Sequence, residues 1–187
     1  MPHRAFIGIG TNLGDRLANY LEALERIGKL RQTRVVRQSS IYETEPVGDA
    51  VGGPFLNGAV EVETELTSEH LMQQLLAIER SMGRKRERTS KVQGRYKPRI
   101  IDLDLLFFDK ELIDTPKLQV PHPRLQERRF VLVPMSELAP ALIHPRLNVS
   151  ISELLAGLKS TQKVVLMRAD LLKPTKPRSS RREVASR

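Results

Sequence analysis

Residues 95–109, RYKPRIIDLDLLFFD, limit the possible folds of this chain more than any other stretch. From residue 100 onward the stretch is rich in strand-forming residues, and Pro98 stands just before the point where a strand can begin. Side chains alternate between the two faces of a strand, so Asp102 and Asp104 share one face. The other face then carries Ile101, Leu103, Leu105 and Phe107.

The acidic pair has two possible explanations. Two acids on the outer face of an edge strand can simply be solvated. However, Leu106 and Phe108 continue the acidic face and predict that it becomes buried, where two carboxylates need a compensating cation. Carboxylates at i and i+2 lie about 7 Å apart at their Cα atoms, and two hard cations about 3.5–4 Å apart are a common clamp for phosphates. We therefore favour a metal site at Asp102 and Asp104.

Composition and charge narrow the function classes. The chain has 187 residues, no cysteine and a net charge of +9. Without cysteine it has no disulfides or thiolate metal sites, and the N-terminal apolar run is too short for a signal peptide. No segment is apolar enough to span a membrane, so we expect a cytoplasmic protein.

The positive charge is concentrated in two segments. Residues 83–99 carry a net charge of +7 and residues 173–187 carry +5, which leaves the rest of the chain at −3. One basic segment adjoins the acidic strand. This arrangement favours a polyanionic ligand bound between arginines and metal over a broad DNA-binding surface.

Periodicity predicts a chain in which strands and helices are interspersed. Segment 84–99 is expected to be a mobile basic lid, the alternative being a charged loop without a role. The glycines of 8–14 are interpreted as a tight strand-to-helix turn and not as a dinucleotide-binding loop. A domain over 1–172 and a disordered basic tail over 173–187 are expected. The predicted strands are 5–10, 33–42, 55–66, 100–108, a returning strand at 112–114 and 163–167, and the predicted helices are 16–30, 68–82, 128–138 with a break near Pro134, and 150–158.

Six motifs in a fixed order resemble the 6-hydroxymethyl-7,8-dihydropterin pyrophosphokinase family. They are 10–14 (GTNLG), 42–48 (YETEPVG), 55–57 (FLN), 95–104 (RYKPRIIDLD), 120–124 (VPHPR) and 127–130 (ERRF). The resemblance covers about residues 4–160. It implies a ferredoxin-like α+β sandwich and a magnesium-dependent transfer of diphosphate from ATP to the hydroxymethyl group of the pterin, with release of AMP. It also implies two Mg²⁺ ions, and we expect a monomer without specific nucleic-acid binding.

The resemblance also implies a role for individual residues. Phe55 stands where the family often has tyrosine, Tyr96 where tryptophan is frequent and Lys97 where glycine or alanine is usual. These departures concern the lid and the pterin pocket and not the acidic pair. The implied residues are Arg84, Arg99, Asp102 and Asp104 for catalysis, the last two also for metal; Glu79, Arg86, Lys117, His122 and Arg128 for ATP; and Thr44, Pro46, Val47, Phe55, Asn57 and Phe130 for the pterin.

Two other functions fit part of the pattern. A different metal-dependent nucleotidyltransferase would keep the acidic pair and the arginines but would not need Asn57 and Phe130. An RNA-binding module could share a ferredoxin-like fold and a basic charge. Its aromatic-rich binding strand is missing, and the whole chain has only eight Phe, Tyr and Trp residues.

Overall fold

The computed structural model describes residues 1–46, 53–84, 91–92, 95–96 and 98–168, and only the backbone of 91–92, 95–96 and residue 168. Among these residues the helices are α1 (Arg16–Gly28), α2 (Ser68–Ser81), α3 (Arg129–Leu138) and α4 (Ile151–Gly157), with a 3₁₀ turn at Leu125–Glu127. The strands are β1 (His3–Thr11), β2 (Thr33–Gln38), β3 (Ile41–Thr44), β4 (Phe55–Thr64), β5 (Lys91–Val92), β6 (Arg95–Tyr96), β7 (Asp102–Phe108), β8 (Ile113–Asp114), β9 (Gln119–Val120) and β10 (Val164–Arg168).

The main sheet has the strand order of a ferredoxin-like sandwich. Its order is β10-β3-β4-β1-β7, with β2 also paired to β4, and every pair is antiparallel. Across the sheet, the strands of the unit β1-α1-β2/β3-β4-α2-β7 follow the order β7, β1, β4 and then β2 with β3. In chain order these are the fourth, first, third and second strands of the unit. This is the split β-α-β-β-α-β arrangement. The predicted α+β ferredoxin-like class is confirmed.

Both faces of the sheet are buried, each against its own pair of helices. Ile7 and Ile9 of β1 join one core cluster with α1 and α2, while Phe6 of the same strand joins a second cluster with α3 and α4. Strand β4 is buried on both faces for the same reason. A strand covered on both faces reads as a nearly continuous apolar run, which is the pattern of β1 and β7 in the sequence.

The predicted helix starts are confirmed because their signals are local. The Asp15 side chain accepts the Ala18 N–H at 3.0 Å, and Thr67 accepts the His70 N–H at 3.3 Å. Ser150 and Glu153 form the reciprocal capping box that begins α4. Each of these side chains satisfies backbone N–H groups that the first helical turn leaves without a partner.

The predicted single strand 33–42 is two strands in the structure. Glu137 on α3 accepts hydrogen bonds from the backbone N–H and the hydroxyl of Ser40. Because this N–H is directed to a carboxylate instead of a neighbouring strand, the chain breaks between β2 and β3. Both pieces still pair with β4.

The predicted alternation along β7 is wrong after Leu105. Phe6 lies opposite Phe107 and Ile7 lies opposite Leu105, so Leu106 is an extra residue in the pairing. Such a bulge shifts the following side chains to the other face. Phe107 therefore packs with Leu106 in the cluster under α3, and Phe108 packs in the cluster under α1 and α2.

Two further expectations are corrected. Strand β8 does not return along β7 but pairs with β9, through Ile113–Val120 and Asp114–Gln119. The chain turns away at Asp109, which has a positive φ and whose carboxylate accepts the Arg4 N–H. Helix α3 runs through Pro134 without ending, although proline provides no N–H for the carbonyl four residues earlier.

No helix in the described part of the chain is long and apolar enough to cross a membrane.

We predict that Gly58→Ala destabilises the fold. A Cβ on Gly58 would lie 2.2 Å from the hydroxyl oxygen of Tyr20, and that ring is 1% exposed and has no space to retreat. Overpacking of this kind costs about 1–3 kcal/mol of unfolding free energy. The control is Gly157→Ala in α4, where nothing lies within 4 Å of the added Cβ. Urea unfolding measures both, and equal stability of the two variants would contradict the packing described.

Candidate active site

A cleft opens on the face of β1, β4 and β7 that looks towards α3. Its empty space, including its open mouth, amounts to about 980 Å³, which is within the range of small-molecule sites. One side is charged and the other is apolar and amide-bearing. The lining includes Gly8, Gly10, Thr44, Glu45, Phe55, Asn57, Arg99, Asp102, Asp104, Leu106, Arg124, Arg128, Phe130, Val131, Pro134 and Gln162.

The predicted acidic pair lies on this face, opposite two glycines. In the β1–β7 register Asp102 pairs with Gly10 and Asp104 pairs with Gly8. Because glycine has no side chain, the space beside each carboxylate stays open. A Cβ on Gly10 would lie 2.8 Å from Asn57 Oδ1, so a larger residue there would close the cleft. Both glycines lie inside β1, within the part of the chain predicted as strand 5–10.

Asp102 is held between two arginines. Its carboxylate oxygens accept hydrogen bonds from the guanidinium groups of Arg84 and Arg99, and its side chain is 15% exposed. Burial acts to raise the pKa of Asp102, but the charges and hydrogen bonds of Arg99 and Arg84 together hold it below its ordinary value. Asp102 is therefore a carboxylate at neutral pH.

Asp104 has a weaker partner and a different protonation. Among the described residues, the nearest cation is the Arg128 guanidinium, 3.9 Å from Asp104 Oδ2. Burial, followed by the negative charge of Asp102, raises the pKa of Asp104 to about 7. The two carboxylates on one strand face thus differ in pKa, because in the described part of the chain Asp102 has two hydrogen-bonded arginines and Asp104 has one more distant arginine. A cation placed between them would lower the pKa of Asp104.

Glu79 connects this strand to the end of α2. Its side chain is fully buried, accepts the Leu103 N–H at 2.8 Å and accepts a hydrogen bond from Arg84. Leu103 lies between the two acids, so Glu79 fixes the strand behind them while it orients an arginine in front of them. Glu79 is thus paired with an arginine of the segment that follows α2. Its predicted contact with ATP stays a prediction, since Glu79 does not line the cleft.

Asn12 positions the second arginine. The Arg99 N–H donates to Asn12 Oδ1 at 2.7 Å, and the Asn12 N–H donates to the Arg99 carbonyl at 3.0 Å. This pair of hydrogen bonds joins the β1–α1 turn to the residues before β7. The turn was predicted, but this function of it was not, because the two partners are 87 residues apart.

The opposite side of the cleft brings together the residues predicted for the pterin. Asn57 lies in β4, is 7% exposed, and donates from Nδ2 to Thr44 Oγ1 at 2.7 Å. Phe55 and Phe130 line the same side. The Arg128 guanidinium lies 5.7 Å from the centre of the Phe130 ring, so it spans the charged and the aromatic parts of the cleft.

The remaining predicted residues are dispersed. His122 is half-buried outside the cleft lining, and burial, followed by the charge of Arg128, lowers its pKa to about 4. Lys117 is exposed, and Pro46 is half-buried beside the cleft residue Glu45. Arg86, Val47 and most of the predicted lid lie outside the described residues, apart from the short antiparallel backbone pair β5–β6.

Comparison with known proteins decides what kind of site this is. A family model described as 7,8-dihydro-6-hydroxymethylpterin-pyrophosphokinase matches residues 6–140. The chain belongs to this family. It is accordingly an enzyme that transfers diphosphate from ATP to 6-hydroxymethyl-7,8-dihydropterin in folate synthesis, and the resemblance seen in the sequence is confirmed.

Curated relatives of this pyrophosphokinase include bacterial enzymes of similar length. The 2-amino-4-hydroxy-6-hydroxymethyldihydropteridine pyrophosphokinase of Methylorubrum extorquens is 41% identical over 140 residues, which are 75% of this chain and 85% of the relative. The Bacillus subtilis enzyme of the same name is 42% identical over 138 residues, covering 74% of this chain and 79% of the relative.

A solved structure supports the fold. A Plasmodium falciparum HPPK-DHPS crystal structure matches with a TM-score of 0.64 at 16% identity. The match covers 83% of this chain but only 45% of that chain, so this chain spans less than half of its length.

The site residues suit magnesium, which the family generally uses. Among the described residues no group of three or more His, Cys, Asp and Glu side chains forms a protein-only metal site. Asp102 and Asp104 offer two carboxylate groups from one strand face into the cleft. At a nucleotide, Mg²⁺ is usually bound by few protein ligands, and phosphate and water complete its coordination.

Sequence reasoning missed several cleft residues. Arg124 falls within a motif but was given no role, and Gln162 lies far from every motif. The positions of Gly8 and Gly10 could have been recognised from the sequence. Their spacing of two residues equals that of Asp102 and Asp104, as expected when two paired strands place these residues opposite each other.

We predict a distinct pH dependence of stability for the metal-free protein. The folded-state pKa of Asp104, about 7, lies above its ordinary value of 3.8. The folded state therefore binds more protons between these values, and stability falls as pH rises through this window. Asp104→Asn should remove this loss and stabilise the protein above pH 7 by on the order of 2 kcal/mol, reduced by solvent screening in the open cleft.

Chemical unfolding at pH 5 and pH 8 in EDTA measures this effect. The surface variant Asp114→Asn is the control and should keep the slope of the parent protein. The same loss of stability with rising pH in Asp104→Asn as in the parent would contradict the ionisation described.

Proposed function

We propose that the charged side of the cleft holds the triphosphate of ATP and that the other side holds the pterin. The observation that carries the proposal is a single continuous cleft. It has Asp102, Asp104 and three arginines at one side, and Asn57 and Phe130 at the other. A phosphoryl acceptor and donor must lie within a few ångströms of each other for transfer, and this cleft brings the two kinds of residue together.

In this proposal Asp102 and Asp104 hold two Mg²⁺ ions. The ions would neutralise charge on the phosphate oxygens, which is the main requirement of phosphoryl transfer. Asp102 is already ionised in the metal-free protein, because Arg84 and Arg99 stabilise its charge. Asp104 would lose its proton when a cation binds beside it.

The arginines bind and orient the phosphates. Arg99, Arg124 and Arg128 line the cleft together with the acidic pair, with Arg99 bonded to Asp102 and Arg128 3.9 Å from Asp104. Guanidinium groups form paired hydrogen bonds with phosphate oxygens, which fix direction as well as charge. Arg84 lies three residues after the end of α2, bonds to Asp102 and is anchored by buried Glu79. With the acids bound to metal, Arg84 and Arg99 become available for phosphate.

The amide and the aromatic rings recognise the pterin. Because Thr44 accepts from Asn57 Nδ2, the Oδ1 atom is directed over Gly10 at the cleft surface, where it can accept an N–H of the pterin ring. Phe130 offers a ring face for stacking, which a flat heterocycle requires. Phe55 contributes apolar contact on the same side but has no hydroxyl.

Domain boundary, location and oligomeric state are also inferred. We infer that residues 1–172 form the catalytic domain and that 173–187 are not needed for turnover. We also infer a cytoplasmic monomer. The location is not general among relatives, since an Arabidopsis thaliana protein that is 44% identical over 137 residues carries the name of a mitochondrial folate synthesis bifunctional protein.

We predict that Asp102→Asn and Asp104→Asn abolish pterin-dependent release of AMP. Each change keeps the side-chain shape but removes a charge that metal and phosphate require, so kcat should fall by at least about a hundredfold. The assay incubates the protein with ATP, Mg²⁺ and 6-hydroxymethyl-7,8-dihydropterin and follows AMP. Asp114→Asn on β8 is the matched control outside the cleft.

Variants that keep kcat within about tenfold of the parent, a cost of only ~1.4 kcal/mol, would reject the metal assignment. AMP release that does not depend on the pterin would instead indicate a different nucleotidyl transfer at the same acids.

A further inference from the structure

The segment after α4 returns to the cleft and forms part of its wall. Strand β10 pairs antiparallel with β3, placing Val164 opposite Thr44 and Val165 opposite Glu43. Gln162, two residues before β10, lines the cleft. All of these C-terminal residues lie beyond residue 140, where the match to the family model ends.

This segment holds Glu45 from three sides. The Glu45 N–H donates to the Lys163 carbonyl at 3.2 Å, and the Lys163 N–H donates to Glu45 Oε2 at 3.2 Å. The Gln162 side chain donates from Nε2 to the Glu45 carbonyl at 2.7 Å. Glu45 is thereby fixed through its backbone N–H, its backbone carbonyl and its side chain.

The bond from Gln162 is the important one because of Pro46. The peptide between Glu45 and Pro46 has no N–H, so its carbonyl is the only group through which it can be hydrogen-bonded. Gln162 occupies that group. The orientation of this peptide decides where Pro46 and the cleft residue Glu45 lie relative to the pterin side.

Contacts from outside the C-terminal segment fix the neighbours of Glu45. Arg16 donates to the Pro54 carbonyl at 2.7 Å and pairs with Glu43 at 2.9 Å, so it fixes the chain on either side of Glu45 and not Glu45 itself. Thr44 is fixed by Asn57. Among the described residues, Gln162 is the hydrogen-bond donor to the Glu45 carbonyl.

We propose that Gln162 is a positioning residue for the pterin. Its amide aligns the Glu45–Pro46 peptide, and this alignment sets the wall of the cleft beside Asn57 and Phe55. The inference rests on the proposed assignment of this side of the cleft to the pterin. Loss of the Gln162 amide should weaken pterin binding and leave the phosphate side, which it does not contact, unchanged.

Steady-state kinetics of Gln162→Ala test the inference, with the pterin and ATP varied separately. The KM for the pterin should rise about fivefold, as expected for one lost hydrogen bond, while kcat and the KM for ATP change less than about twofold. Gln162→Glu keeps the size but opposes a carboxylate to the Glu45 carbonyl, so its KM for the pterin should rise at least as much.

The matched control is Gln119→Ala. Gln119 also donates from Nε2 over 2.7 Å, to Asp114 on the β8–β9 hairpin, and it does not line the cleft. Its KM values should equal those of the parent protein. Thermal unfolding of all three variants should be unchanged, because each loses one partly exposed hydrogen bond.

Three results would overturn the inference. These are an unchanged KM for the pterin in Gln162→Ala, a parent-like Gln162→Glu, and a parallel rise of the KM for ATP together with a lower unfolding temperature. A separate variant tests the assignment beneath it. If Phe130→Ala leaves the KM for the pterin unchanged, the pterin lies elsewhere, and the proposed function of this side of the cleft fails together with the inference.

Discussion

The site depends on the buried carboxylate of Glu79. A fully buried charge is stable only when it is paired and hydrogen-bonded, and Glu79 meets this need with the Leu103 N–H and Arg84. The two contacts join the end of α2 to the middle of β7. Through Arg84 the arrangement reaches Asp102, so one interior carboxylate sets the strand, the arginine and the acid relative to each other.

The same arrangement bears on the proposal that a basic cleft accepts cations. Arg84 and Arg99 neutralise Asp102 in the metal-free protein, while Asp104 keeps a pKa near neutrality. The two acids therefore do not present two unpaired negative charges to the cleft. In the proposed function, a nucleotide bound with its metal would replace the arginine–carboxylate pairs by arginine–phosphate and metal–carboxylate pairs. This replacement would cost little free energy because every charge would keep an opposite charge nearby.

The local features of this protein could be predicted from its sequence. Helix starts at Asp15, Thr67 and Ser150 depend on residues within one turn, and the Asp102–Asp104 pair is visible from strand alternation alone. The bulge at Leu106 could not be predicted, because it is defined by the pairing with β1. The role of Gln162 depends on a partner 117 residues away, so no local pattern contains it.

We propose that Asp102 and Asp104 together hold two cations when the nucleotide is bound. Electron paramagnetic resonance of Mn²⁺ bound with a non-hydrolysable ATP analogue measures this directly. We expect two magnetically coupled Mn²⁺ ions per chain, and loss of the coupling in Asp104→Asn. A single isolated Mn²⁺ ion in the parent protein, with the same spectrum in Asp104→Asn, would contradict it.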